Sequence, residues 1–274
     1  MNNFLFQREG VLGALRSPVF LSPCTIANHA KSKSTLDNVI GVCDRLSSDE
    51  FTLTMTAAYR SGVARFGALW GYADISTLLY AVASVGQPEN YLEIGVRRGR
   101  SACMVAAASP ATAIYGFDMW QENYANNDNP GAAFVAGELD KVGHTGQRHF
   151  VDGDSHVTIP EFFAANPQLT FDLITVDGDH TLEGAWDDLV NTVARLRVGG
   201  VIVFDDIDNP YCPGLLGVWE RLLREFPSLA GQTVTNPLGL GVSFALRLFP
   251  GNAVPVGPTD NQTTNRLRRW LKSR

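Results

Sequence analysis

The chain has 274 residues, is 45% hydrophobic and carries a formal net charge of −6, with a mean hydropathy of −0.02. That length suffices for one large domain with an extension, or for two domains at most. The acidic balance argues against a general nucleic-acid surface, and no apolar run reaches the ~20 residues of a membrane span.

Residues 1–46 are mixed in character, with Pro18 and Pro23 in an irregular opening. Glu9 stands where a signal peptide would be apolar. Cys24, Cys43, Cys103 and Cys212 lack metal-site spacing and read as reduced thiols, so the expected location is the cytoplasm. Ser47-Ser-Asp-Glu50 predicts a capping box and a helix to about Phe66. Asp74 to Val85 predicts another helix, with Ile75, Leu78, Leu79 and Val82 on one face.

Tyr91 to Ile94 reads as a short buried strand, Gly95 and Gly99 as a turn, and Ser101 to Ala108 as a helix. Such glycines let a backbone approach a ligand closely. The Gly-x-x-x-Gly spacing differs from that of a dinucleotide site. Glu93, two positions before Gly95, suits a ligand with an ammonium and a sulfonium better than one with a pyrophosphate. A turn that merely closes a strand–helix corner is the simpler alternative. Thr112 to Asp118 is a second strand, and an acid at its end can accept hydrogen bonds from ribose hydroxyls. Met119 or Trp120 would cover an adenine. Trp120 to Gly131 is polar and long enough for a binding lid, or is a plain surface loop. His149 to Ser155 is a third strand running into a polar turn, where Asp154 and Ser155 would touch adenine, cap the next helix, or both.

Phe171 to Asp177 is a fourth strand breaking into Asp177-Gly-Asp-His180. Leu182, Ala185, Leu189, Val193 and Leu196 form the core stripe of the following helix, which Gly199-Gly200 ends. Val201 to Asp205 is a fifth strand closed by the pair Asp205 and Asp206. Strand–helix alternation makes the sheet mostly parallel, and the carboxyl ends of such strands line one crevice. Asp177, Asp205 and Asp206 would converge there, and clustered carboxylates call for a hard cation such as Mg²⁺, Ca²⁺ or Mn²⁺ unless they only cap helices. His180 could then take a proton from a metal-bound hydroxyl. Asp179 is expected to cap or support rather than ligate. His29, His144, His149 and His156 have no partner spacing. Asp208 to Pro213 could wall an acceptor, or be simple loop. Gln232 to Thr235 and Gly241 to Arg247 predict two final strands, with Asn236-Pro-Leu-Gly between them.

The strand–Gly-x-x-x-Gly–helix segment resembles motif I of class I S-adenosylmethionine (SAM)-dependent methyltransferases. From about Tyr72 to Leu248 the chain is similar to cation-dependent small-molecule O-methyltransferases, and closer to the macrocin and mycinamicin sugar O-methyltransferases than to the catechol and caffeoyl-CoA branch. The resemblance implies a Rossmann-like α/β fold: a seven-stranded, mostly parallel sheet with a closing antiparallel strand and helices on both faces. It implies Mg²⁺ (or Mn²⁺) on Asp177, Asp205 and Asp206, with Asp177 also serving the chemistry. His180 stands where catechol-type enzymes carry a Lys base, as in the mycinamicin branch. The implied SAM site is Glu93, Gly95, Gly99, Ser101, Asp118, Met119, Asp154 and Ser155. The expected organisation is an N-terminal helical extension or lid (1–71), a methyltransferase domain (72–249) and a linker with a basic tail (250–274). The expected partner is a small hydroxylated acceptor, a sugar or sugar-bearing natural product, with no nucleic acid. The extension or the tail, where Leu267, Trp270 and Leu271 recur at helical spacing, could join a second subunit. Rival readings are a catechol-type enzyme, a non-catalytic SAM- or nucleotide-binding protein, and an NAD-dependent oxidoreductase.

Overall fold

Polar side chains decide where the N-terminal helices begin. In the computed structural model, which describes residues 21–122, 128–235 and 239–250, the Ser22 hydroxyl accepts from Thr25 N and opens α1 (Pro23–Ala30). Ser32 does the same for α2 (Lys33–Cys43). Asp49, rather than a box begun by Ser47, caps α3 (Glu50–Phe66) by accepting from Thr52 N. This corrects the expected start: a carboxylate at 49 leaves the serines before it outside the helix. Asp74 and Thr77 form a capping box on α4 (Ile75–Gly86).

Strands and helices then alternate as β1 (Asn90–Ile94), α5 (Arg100–Ala108), β2 (Ala113–Asp118), α6 (Ala132–Lys141), β3 (Arg148–Asp152) and α7 (Ser155–Ala165). They continue as β4 (Phe171–Val176), α8 (Leu182–Val193), β5 (Leu196–Asp205), α9 (Leu215–Glu225), β6 (Leu229–Val234) and β7 (Val242–Arg247). The sheet order is β3-β2-β1-β4-β5-β7-β6. All pairs are parallel except those that β7 makes with β5 and β6. This is the Rossmann-like arrangement expected, with one antiparallel strand inserted near an edge.

Two buried layers cover the sheet. One gathers apolar side chains from α1 to α6, including Leu36, Tyr59, Leu78 and Met104. The other gathers those of α7 to α9, including Ile159, Leu189 and Trp219. Ala185, Leu189 and Val193 of the expected stripe are buried, whereas Leu182 is 51% exposed. Leu196 belongs to β5, and Gly199-Gly200 lies inside that strand instead of ending a helix. The pairing of β4 with β5 shifts register after Phe171, and a Cβ on Gly200 would lie 3.0 Å from the Asp172 carbonyl oxygen of β4. The glycines thus serve a close strand approach at an irregularity.

Among the described residues no helix is long and apolar enough to cross a membrane. Pro18, Glu9, the Asn236-Pro-Leu turn, residues 123–127 of the expected lid and the basic segment with Leu267, Trp270 and Leu271 lie outside the described residues.

Candidate active site

β1 lies between β2 and β4, where the strand order reverses, and a ligand crevice opens at the carboxyl ends of strands at such a point. Gly95 leaves β1 with φ 87°. A Cβ there would collide with the Asp177 carbonyl oxygen. Gly95 N donates to Phe117 O at 2.9 Å, and Asp177 N donates to Ile94 O at 2.9 Å. Glycine is therefore demanded by the splice of three strand ends. Gly99 caps α5 at φ 74°, with Val135 Cγ1 2.6 Å from where its Cβ would stand.

Asp118 ends β2 with both oxygens engaged. Oδ2 accepts from Arg97 N at 2.7 Å, and Oδ1 from Trp120 N at 2.6 Å and Asn129 Nδ2 at 3.1 Å. The turn thus fixes this acid at the rim of the crevice. Met119 beside it is 54% exposed, while Trp120 packs edge-on against Phe150 at 6.0 Å. Glu93 is wholly buried on β1. The Ser101 hydroxyl donates to Oε1, and Oε2 has no partner. Burial, chiefly, pushes this carboxyl up to about 8. Asp154 caps α7, accepting from His156 N at 3.0 Å, and Ser155 is the first helical residue. The capping role holds for this turn.

The acidic crest is built by register. Val176 pairs with Phe204, so Asp177 and Asp205 leave β4 and β5 side by side. Asp206 follows at φ 59°, a left-handed conformation uncommon outside glycine and typical of sites that aim a side chain. Asp177, His180 and Asp206 each bring a ligand atom within 4.8 Å of the others'. His180 Nε2 lies 3.4 Å from Asp177 Oδ1 and 3.5 Å from Asp206 Oδ2. Asp205 stands beside this group rather than in it. Burial raises its carboxyl far above the usual range, and the charges of Asp177 and Asp206 add to the effect. Asp206 is raised too, by burial and then by Asp177. His180 is raised above its ordinary value, first by its hydrogen bond to Asp177. Clustered carboxylate oxygens are donors that a hard divalent cation fits, with the His180 imidazole beside them.

Supporting groups surround the crest. Asp179 accepts from Thr181 N at 2.8 Å, and Thr181 caps α8 by accepting from Gly184 N at 3.1 Å. Asp179 therefore shapes the turn, as expected. Asn209 escaped the sequence reading: its Nδ2 donates to Asp206 Oδ2 at 2.8 Å, and its Oδ1 accepts from Tyr211 N at 2.9 Å. The signal was an Asx residue three positions after the acidic pair's second member, inside a Pro-containing loop. His156 was also missed, because its partners come from different segments.

Residues 92–207 match the family model described as a methyltransferase domain. That span runs from β1 past the acidic crest, taking in Glu93 to Asp206 and leaving Asn209 just outside. No curated protein matches the chain. Among solved structures, the O-methyltransferase TomG from Streptomyces achromogenes, involved in tomaymycin synthesis and in complex with SAM, is 21% identical, with 74% of this chain and 92% of that one covered and a TM-score of 0.50. A candidate caffeoyl-CoA O-methyltransferase from Staphylococcus aureus is 13% identical, with 78% of this chain and all (100%) of that one covered and a TM-score of 0.52. CalS11, a TDP-rhamnose 3′-O-methyltransferase in calicheamicin biosynthesis, is 21% identical over 86% of this chain and 99% of its own, with a TM-score of 0.48. TomG and the Staphylococcus protein share the fold of this chain.

Proposed function

We propose that the chain is a SAM-dependent O-methyltransferase that uses Mg²⁺ or Mn²⁺ to methylate a hydroxyl of a small molecule, with a sugar or sugar-bearing natural product as the acceptor class. The observation that carries this reading is the convergence of Asp177, His180 and Asp206 at the switch-point crest of a methyltransferase domain. Glu93, Gly95, Gly99, Ser101, Asp118, Met119, Asp154 and Ser155 are the groups proposed to hold SAM. The unpartnered Oε2 of Glu93 and the exposed Met119 support that assignment. His180 in place of a Lys, and an acid at 206, favour the sugar branch over the catechol branch.

In the transfer, a bond forms between the acceptor oxygen and the methyl carbon as the sulfur–carbon bond breaks, leaving S-adenosylhomocysteine. A bound divalent cation would lower the pKa of the acceptor hydroxyl. His180 takes the proton released, and Asn209 keeps Asp206 aimed. Asp177 and Asp206 are proposed to hold that cation, with Asp205 beside them as the third carboxylate. A second reading is favoured by one distance set: His180 lies close enough to both acids to be a ligand itself. Mn²⁺ titration of His180→Ala separates the two, because a base leaves Mn²⁺ affinity near wild type and a ligand does not.

Residues 1–71 are proposed as an N-terminal extension or lid on the domain at 72–249, and they or residues 250–274 as the contact with a second copy. The enzyme is proposed to act in the cytoplasm, without nucleic acid. Calorimetric titration of the purified protein with SAM and with NAD tests the cofactor. SAM binding is expected, and tight NAD binding without SAM binding would overturn the proposal.

A further inference from the structure

His156 sits at the start of α7, outside the acidic crest, yet four oxygens from three segments surround its ring. Nδ1 lies 3.0 Å from Asp154 Oδ1. Nε2 lies 3.2 Å from the Gly184 carbonyl, 3.8 Å from Asp188 Oδ1 and 4.0 Å from Asp179 Oδ2. Carboxylates and carbonyls only accept, so each ring nitrogen needs its own hydrogen. The geometry calls for an imidazolium.

The position of Asp188 explains why a cation belongs there. Its side chain is 1% exposed, and Oδ2 is buried without a hydrogen-bond partner. A Cβ on Gly178 would stand 3.2 Å from that atom, so the acid lies directly beneath the turn that carries Asp177 and His180. Hydrogen bonds from Ser155 and the Asp179 N–H steady this carboxyl in part, a buried carboxylate left without a cation still costs several kcal/mol, and His156 is the cation placed to offset it. Burial pushes Asp188 up to about 6 while His156 draws it down, and His156 is in turn raised by Asp188. The acids that face or influence the ring are Asp154, Asp179, Asp188 and, more remotely, Asp187.

We propose that His156 is a positioning residue that fastens the metal-side turn, Asp177 to Thr181, to the cofactor-side turn, Asp154–Ser155, through Asp188 and the Gly184 carbonyl. Its single ring spans α7 and α8, so the two half-sites are held at one spacing. The inference rests on the proposed SAM and metal sites.

The test uses the full-length protein, with SAM and Mn²⁺ as probes, in wild type, His156→Gln and the isosteric Asp188→Asn. Support takes the form of a joint loss: Mn²⁺ and SAM affinities both fall about tenfold or more in His156→Gln, the range for removing a group that orients ligands. Imidazole NMR should show His156 titrating above the ordinary histidine range in wild type and lower in Asp188→Asn, a readout that needs no ligand. Should His156→Gln fail to fold, Asp188→Asn carries the same binding test. A lowered thermal midpoint with both affinities unchanged would overturn the inference and leave the function standing. Wild-type protein that binds neither probe would overturn the function and this inference together.

Discussion

Glu93 is the residue whose environment differs most from its chemistry in water. It is buried on β1 with one oxygen held by Ser101 and the other unpartnered, and burial raises its carboxyl from 4.5 to about 8. A raised pKa in the fold favours the protonated acid, so this contribution to stability is complete below about pH 4.5. It is lost as pH rises through about 8, by roughly 5 kcal/mol across the window. In urea titrations without ligand, wild type should therefore lose more stability between pH 5 and 8 than Glu93→Gln, which cannot ionise. Parallel pH dependences would show that another group titrates. At the crest, Asp206→Ala removes an oxygen proposed to bind the metal and leaves Asn209 without its acceptor. Mn²⁺ affinity should fall at least tenfold, and unchanged Mn²⁺ binding would confine Asp206 to shaping the turn. His180→Ala should cut turnover about 10²–10⁴-fold while SAM affinity holds, the range for losing a general base. One ionisation should also vanish from its pH–rate profile. Near-normal turnover with the same profile would move the base elsewhere, with Asp177 next in line.

Elements meet at this site through their ends. Gly95 lets β1 run against the first residue after β4, because any Cβ would strike the Asp177 carbonyl. Gly95→Ala should lower stability by at least ~2 kcal/mol, from a left-handed φ and a backbone clash combined. A variant of wild-type stability would show that the splice relaxes freely. Strand ends were legible in the sequence because apolar runs stop at a glycine or an acid: Ile94 before Gly95, Phe117 before Asp118, Val176 before Asp177, Phe204 before Asp205. Other boundaries were not. Ser47 looked like a cap because Glu50 follows at box spacing, but the Asp49 carboxylate reaches Thr52 N. Gly199-Gly200 looked like a helix stop. Its use inside β5, beside an irregular pairing with β4, depends on a neighbouring strand that local sequence does not contain.

At the scale of the molecule, topology gathers what the chain scatters. Asp177 and Asp206 meet because β4 and β5 are parallel neighbours, and the strand order reverses beside β1. That much follows from alternation of strands and helices. The placement of Asp205 beside the converging group does not, since successive strand residues face opposite ways and Asp206 turns left-handed after it. His156 joins α7 to α8 through contacts that no spacing in the sequence encodes. Metal-assisted methylation of a hydroxyl is put to the test by mass spectrometry of a metabolite extract incubated with purified protein, SAM and Mg²⁺. A hydroxylated, sugar-bearing molecule should gain one methyl on oxygen, with the product lost in excess EDTA and restored by Mg²⁺ or Mn²⁺. Methylation at full rate in excess chelator, or a methyl delivered to nitrogen or carbon, would contradict it.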